Sequence, residues 1–122
     1  MTEEKIRIIV YGTLKRGFGN NSIYLTDDQF CGSATFKGKM YDYGYFPYVD
    51  ITEEGIIHGE VFEVTPEELK RLDHLEGYPG FYDRTKIKPL DYKYECWVYH
   101  ISGKQNDPKK EIISGKWERD HD

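Results

Sequence analysis

Residues 6–17 constrain the fold of this chain more than any other stretch, and they read IRIIVYGTLKRG. Their first half is an apolar, β-branched run, which predicts a buried strand. Gly12 ends this run, because a residue without a Cβ lets the backbone turn sharply and lets a ligand approach main-chain atoms. Successive N–H groups at such a turn can hold an anion such as a carboxylate. The stretch therefore predicts a strand that ends either in an ordinary glycine turn or in a ligand-binding loop.

Length and composition predict a single folded domain over residues 1–122. The chain is 38% hydrophobic and 16% aromatic, with 11 tyrosines, and its length allows one core but not two. Its 17 basic and 22 acidic residues give a net charge of −5 without a basic stripe, so we expect no nucleic-acid partner. No apolar run reaches the length of a membrane span, and residues 1–5 lack the hydrophobic region of a signal peptide. We therefore expect a cytoplasmic protein with no membrane partner. The pattern indicates no particular oligomeric state.

Several common kinds of site lack their sequence signatures. Cys31 and Cys96 are far apart and do not resemble a metal-binding pair, so we expect two reduced thiols rather than a disulfide. No nucleophile elbow and no glycine-rich phosphate loop occurs. Histidines without metal-binding spacing stand at four positions: His58, His74, His100 and His121. We therefore expect no metal and no cofactor.

The rest of the chain is predicted to consist mostly of strands. Residues 15–21 are expected to be irregular, and residues 22–28 to form one helical turn capped by Ser22. Further strands are predicted over residues 32–43, 46–51, 56–64, 81–90 and 93–101. Because Pro47 cannot donate a ladder hydrogen bond, its strand is expected at a sheet edge or with a bulge at its start. In the tail, Ile112, Ile113 and Trp117 are expected to fold back onto the body, and His121 and Asp122 to fray.

One helix has clear start and stop signals. Thr65 is the predicted N-cap, Pro66 occupies the first helical position, and Glu68 completes a capping box. Gly77 is expected to stop the helix after residue 75 or 76. Strands with one well-defined helix indicate an α+β fold.

This helix carries the candidate catalytic residue, Glu76. Leu69, Leu72 and Glu76 fall on one face at 3.6 residues per turn, so a carboxylate stands at the end of the face that should be buried. Burial without a charge partner raises the pKa of a carboxyl toward neutrality, as a general acid or base requires. The alternative is that Glu76 points to water or caps the turn that follows the helix.

Residues 11–17, followed by Asn20, resemble the signature loop of the γ-glutamylcyclotransferase-like family, and most of all its γ-glutamylamine cyclotransferase branch. Three further blocks, at residues 59–64, 72–79 and 81–84, stand in the same order as in that family. The resemblance covers nearly the whole chain. It implies a mixed β-barrel-like sheet with the one main helix packed against it.

The resemblance also implies a reaction and a catalytic residue. In such a family the α-amine of a γ-glutamyl amine or γ-glutamyl amino acid attacks its own γ-carbonyl, which gives 5-oxoproline and a free amine without a metal or cofactor. The family's catalytic acid/base corresponds to Glu76. We assign the grip on the substrate's α-carboxylate to the amides of a loop formed by Tyr11, Gly12, Thr13 and Leu14. The amine attached to the γ-glutamyl group is not indicated.

Other residues and other functions stay open at this stage. Tyr82 and Tyr99 are candidates for hydrogen bonds to the substrate or to Glu76, although core packing explains them equally well. Arg84 would lower the pKa of Glu76 if it reached that carboxyl, and Glu60 is the rival carboxylate. The alternative functions are a non-catalytic module that binds a small carboxylate and a transferase that moves the γ-glutamyl group to an acceptor amine.

Overall fold

The computed structural model describes residues 5–118. Within this range, eight strands and two α-helices form the fold, with short 3₁₀ turns at Asp27–Gln29 and Pro108–Lys110. The strands are β1 Ile6–Val10, β2 Phe30–Lys37, β3 Lys39–Asp42, β4 Pro47–Asp50, β5 Ile56–Val64, β6 Asp83–Ile87, β7 Cys96–His100 and β8 Glu111–Ile112. The helices are α1 Gly19–Tyr24 and α2 Pro66–Glu76.

The strands form two sheets. The larger sheet has the order β2-β5-β1-β7-β6, and it is mixed because β1 runs antiparallel to β5 but parallel to β7. The smaller sheet is antiparallel, with the order β4-β3-β8. A backbone hydrogen bond from Ile101, just after β7, to Val49 of β4 (3.0 Å) joins the two sheets. The predicted α+β class and mixed sheet are confirmed, and β4 lies at an edge as its proline requires.

From Ile8 to Val10, β1 is buried on both faces, which explains why these consecutive residues are apolar. Ile8 and Val10 belong to the core cluster that contains Leu72 of α2. Ile9 belongs to the other cluster, together with Met40 of the smaller sheet. β1 therefore lies between α2 on one side and the smaller sheet on the other, and the chain that leaves it at Tyr11 emerges from the centre of the molecule.

The predicted start and stop of α2 are confirmed. Thr65 Oγ1 accepts a hydrogen bond from the Glu68 amide (3.2 Å), and a Glu68 carboxylate oxygen accepts one from the Thr65 amide (2.8 Å). Gly77 adopts the left-handed conformation (φ +66°) that ends the helix. Leu72 is only 1% exposed, so the predicted face is the one that packs on the sheet. Glu76 is the last residue of this helix.

Other predicted boundaries were wrong. The strand predicted over residues 32–43 is divided into β2 and β3 at Gly38, whose φ of +154° favours glycine. A helix begins at Gly19, within a stretch expected to be irregular, and Ser22 does not cap it. Asn21 explains the helix, because its buried side chain donates to the carbonyl of Leu14 (2.9 Å), and no local pattern signals such a contact. Strands β6 and β7 are also shorter than predicted.

The tail only partly follows its prediction. Ile112 and Trp117 are buried in the core, whereas Ile113 is 87% exposed. The expected fraying of His121 and Asp122 falls outside the described residues. Cys31 and Cys96 are free thiols, as expected. Between residues 5 and 118 no helix is long and apolar enough to cross a membrane.

Candidate active site

A cavity of about 360 Å³ opens where the end of β1, the end of α2 and the segment before β6 meet. Its walls include the side chains of three aromatic residues that the sequence did not single out: Tyr45, Phe46 and Phe81. All seven predicted site residues line it: Tyr11, Gly12, Thr13, Leu14, Glu76, Tyr82 and Tyr99. The fold thus brings together residues that are up to 88 positions apart in the chain.

The loop after β1 is held in place from α1. The amide of Lys15 donates to the Gly12 carbonyl (3.0 Å), which closes a turn. Asn20 Nδ2 donates to Thr13 Oγ1 (2.8 Å), and Asn21 holds the Leu14 carbonyl. The amide N–H groups of Gly12, Thr13 and Leu14 find no acceptor among residues 5–118. They are therefore available to an anionic ligand in the cavity.

Gly12 is required at its position by the opposite wall of the cavity. A Cβ there would come within 2.9 Å of Pro47 Cγ and 3.0 Å of its Cδ, so one of the two walls would have to shift. A displacement of about 1 Å at an active site can lower kcat/KM by roughly a hundredfold. The overlap at Gly12 requires a smaller shift, so we expect Gly12→Ala to lower kcat/KM by about tenfold. Steady-state kinetics on a γ-glutamyl amide, the substrate class that the resemblance implies, would measure this.

The matched control for this variant is Gly19→Ala. A Cβ at Gly19 has no neighbour within 4 Å, so this variant should keep wild-type kinetics. Equal losses in both variants would contradict the role of close packing at Gly12.

Glu76 is the ionisable group at the end of α2 in this cavity. Burial removes its carboxyl from water and raises its pKa from an ordinary 4.5 to about 7. Arg84 does not neutralise it, because the guanidinium nitrogen Nη1 contacts the two oxygens of Asp73 at 2.8 and 2.7 Å. No cation of residues 5–118 forms an ion pair with Glu76. At neutral pH the carboxyl can therefore both take and give a proton.

The hydroxyl groups of the cavity tyrosines are bonded to the protein rather than to Glu76. Tyr82 donates to the Pro47 carbonyl (2.7 Å), and Tyr99 donates to Asp73 Oδ1 (2.6 Å). Tyr11 donates to the main-chain oxygen of Tyr99 (2.7 Å). Burial raises the pKa of all three tyrosines well above the usual range, so they stay neutral.

The rival carboxylate, Glu60, lies outside the cavity. It faces a separate depression and accepts a hydrogen bond from the Arg16 amide (2.8 Å), with Arg16 Nε at 3.6 Å. Glu60 therefore supports the chain beyond the loop, and Glu76 is the carboxylate that a ligand in the cavity would meet.

Three aromatic rings beside the cavity form one cluster. Tyr43 and Phe46 stack with ring centres 5.3 Å apart, and Phe81 contacts both edge-on, at 5.6 and 6.1 Å. The dense aromatic run at residues 41–48 was the only available signal for this feature, and it does not by itself distinguish packing from binding. In the part of the chain that the structure describes, no group of three or more His, Cys, Asp or Glu side chains could hold a metal ion.

The fold and the site define a class of small α+β proteins. Such a protein holds a partly buried carboxyl, with no ion-pair partner among the described residues, in a ligand-sized cavity. A family model described as "Gamma-glutamyl cyclotransferase, AIG2-like" matches residues 8–119, and the chain belongs to this family. The resemblance found in the sequence is thereby confirmed.

Individual relatives agree with this assignment. A putative gamma-glutamylcyclotransferase of Methanocaldococcus jannaschii is 40% identical over 75% of this chain and 81% of its own length. The gamma-glutamylaminecyclotransferase of Rattus norvegicus is 35% identical over 75% of each chain. Among solved structures, an uncharacterised protein of Pyrococcus horikoshii aligns with a TM-score of 0.73 at 28% identity, over 91% of this chain and 88% of that one. These relatives support an enzyme of the γ-glutamylcyclotransferase class in general.

Proposed function

We propose that this protein cyclises a γ-glutamyl amine or γ-glutamyl amino acid, with Glu76 as general acid and base. The α-amine attacks the γ-carbonyl, a new C–N bond closes the five-membered ring of 5-oxoproline, and the original amide C–N bond breaks to release the amine. One observation carries the proposal. Glu76 lines the same cavity as the loop after β1, and burial raises the pKa of its carboxyl to about 7.

The chemistry removes two protons from the attacking nitrogen, one before the new C–N bond forms and one when the ring nitrogen becomes the lactam N–H. The α-ammonium must lose a proton before it can attack, and the departing nitrogen must gain one. A carboxyl with a pKa near the working pH can take the first proton from the attacking nitrogen and deliver it to the departing one. The second proton, lost as the lactam N–H forms, leaves by the same carboxyl and ends on the released amine, so the carboxyl has no net change in its own state. Because attack is intramolecular, holding the substrate in the folded conformer supplies much of the rate enhancement.

The loop after β1 is the proposed site for the substrate's α-carboxylate. The free N–H groups of Gly12, Thr13 and Leu14 match the acceptor oxygens of a carboxylate. A cavity of about 360 Å³ is at the small end of ligand pockets, which fits a γ-glutamyl group with a modest attached amine. The names of the relatives support a small γ-glutamyl molecule as substrate.

The proposal predicts the products that purified protein forms from a panel of γ-glutamyl amines and γ-glutamyl amino acids. At least one substrate should yield 5-oxoproline and free amine in equal amounts, measured by liquid chromatography and mass spectrometry. A new amide formed with an added acceptor amine, in place of 5-oxoproline, would instead indicate a transferase. Saturable binding without any turnover would indicate a binding module.

A further inference from the structure

The hydroxyl protons of two tyrosines in the cavity are already committed to the protein. Tyr82 donates to a backbone carbonyl, that of Pro47, at 2.7 Å. Tyr99 donates at 2.6 Å to Asp73 Oδ1, a carboxylate oxygen that is also in an ion pair with Arg84. Neither partner can return a proton, because a carbonyl and an ion-paired carboxylate only accept.

A tyrosine hydroxyl has one proton, so these two oxygens can offer a ligand only their lone pairs. Neither ring can supply its proton by ionising, because burial raises the pKa of both hydroxyls well above the usual range. Both tyrosines line the same cavity as Glu76. Tyr82, Tyr99 and ionised Glu76 are therefore acceptors among the residues that line the cavity.

We propose that these three groups, which we call the acceptor wall, bind the α-ammonium group of the substrate, and that Tyr82 and Tyr99 do not donate to the reacting carbonyl. The inference rests on the proposed function. An ammonium group has three N–H donors and no acceptor, so it matches these acceptors in kind. A carbonyl oxygen, or the oxyanion that forms from it, needs donors and finds none in the two tyrosines.

The α-carboxylate and the α-ammonium group of the substrate therefore bind at different places, because one accepts hydrogen bonds and the other donates them. The carboxylate goes to the N–H donors of the loop after β1, and the ammonium group goes to the acceptor wall. The N–H that faces Glu76 loses its proton first, and the other two N–H groups stay on Tyr82 and Tyr99 until ring closure removes the second proton. Tyr82 and Tyr99 thus hold the nucleophile beside its base during the transfer.

The test compares two ligands that differ only in the α-amino group. One is a γ-glutamyl alkylamide, and the other is the matching glutaric acid monoamide, which lacks the amine and cannot cyclise. Dissociation constants are measured by equilibrium dialysis in a Glu76→Gln background, where the carboxyl that moves the proton is removed and an acceptor oxygen is kept. This readout does not require the wild-type protein to turn over any substrate.

We expect Tyr82→Phe and Tyr99→Phe, each added to this background, to weaken binding of the γ-glutamyl amide by about ten- to hundredfold, as for a lost hydrogen bond to a charged group. Binding of the glutaric acid monoamide should change by less than about twofold. The matched control is Tyr48→Phe, whose hydroxyl donates to Asn106 Oδ1 (2.7 Å), away from the residues that line the cavity. It should leave both ligands unaffected.

Other outcomes would overturn the acceptor wall. An equal loss for both ligands would mean that the tyrosines maintain the cavity or donate to the carbonyl, and no loss for either would place the amine elsewhere. Using both tyrosine variants keeps the test decisive if Tyr99→Phe disturbs the Asp73–Arg84 pair, since Tyr82→Phe affects only a carbonyl. A wild-type protein that forms no 5-oxoproline but passes this comparison would refute the proposed reaction alone.

Discussion

Glu76→Gln is expected to lower kcat for 5-oxoproline formation by at least about a hundredfold, the lower range for general acid–base catalysis. Gln keeps the size of the side chain and one acceptor oxygen, but it cannot accept and release a proton. Loss of proton transfer lowers kcat and kcat/KM together. Loss of the carboxylate charge beside the substrate's ammonium group should also raise KM, so the fall in kcat is the measure of the proton-transfer role. Steady-state kinetics at pH 7 would measure both parameters.

Glu60→Gln is the matched control for this prediction. The same change is made in a carboxylate that lies outside the cavity, and Gln keeps an oxygen for the Arg16 amide. We expect kcat and KM within about twofold of the wild type. Turnover of Glu76→Gln at the wild-type rate would remove Glu76 from the mechanism. Similar losses in both variants would indicate a general effect on structure.

The position of Glu76, at the end of the buried face of α2, could be predicted from the sequence because it depends on local signals. Thr65, Pro66 and Gly77 fix where α2 begins and ends, so the buried face of the helix follows from its 3.6-residue period. The buried strand β1 was predictable for the same reason, since its apolar run alone defines it. These elements place the Glu76 carboxyl and the loop after β1, but not the distance between them.

The hydrogen-bond partners of the cavity residues could not be predicted, because these contacts join distant parts of the chain. The hydrogen bond from Tyr82 to Pro47 spans 35 residues, and that from Tyr99 to Asp73 spans 26. Whether Arg84 pairs with Asp73 or with Glu76 depends on how β6 lies against α2, and neither element specifies this locally. The same holds for Asn21, whose buried amide keeps α1 against the loop although the local sequence reads as irregular.

The second large effect is on stability. We expect the stability of Glu76→Gln, relative to the wild type, to rise by about 3 kcal/mol between pH 4 and pH 8. Folding raises the pKa of Glu76 from 4.5 to about 7, so between these values the folded wild type binds more protons than the unfolded chain. Its stability therefore falls as pH increases through this window, and the gap between the two pKa values corresponds to about 3 kcal/mol. Gln does not ionise, so the variant is spared this loss.

Urea unfolding at several pH values would measure the effect as the difference between variant and wild type. Taking the difference cancels the other titrating groups, such as His100, whose pKa is lowered by burial. Asp50→Asn provides a control with a different carboxyl. Burial alone would raise the pKa of Asp50, but hydrogen bonds from Thr52, Asn106 and Gly103 lower it below 3.8, so its relative stability should stay constant from pH 5 to pH 8.

A protein that uses a buried carboxyl as its base is less stable at the pH where it works. Well below pH 4.5 the wild type and Glu76→Gln should differ little in pH dependence, because Glu76 is then protonated in both the folded and unfolded states. A difference that stays constant across the whole range would mean that the carboxyl ionises with an ordinary pKa. Glu76 would then be mostly deprotonated at neutral pH, and it could accept the ammonium proton less readily than the proposed mechanism requires. The stability curve therefore tests the proton-transfer role of Glu76 without any substrate.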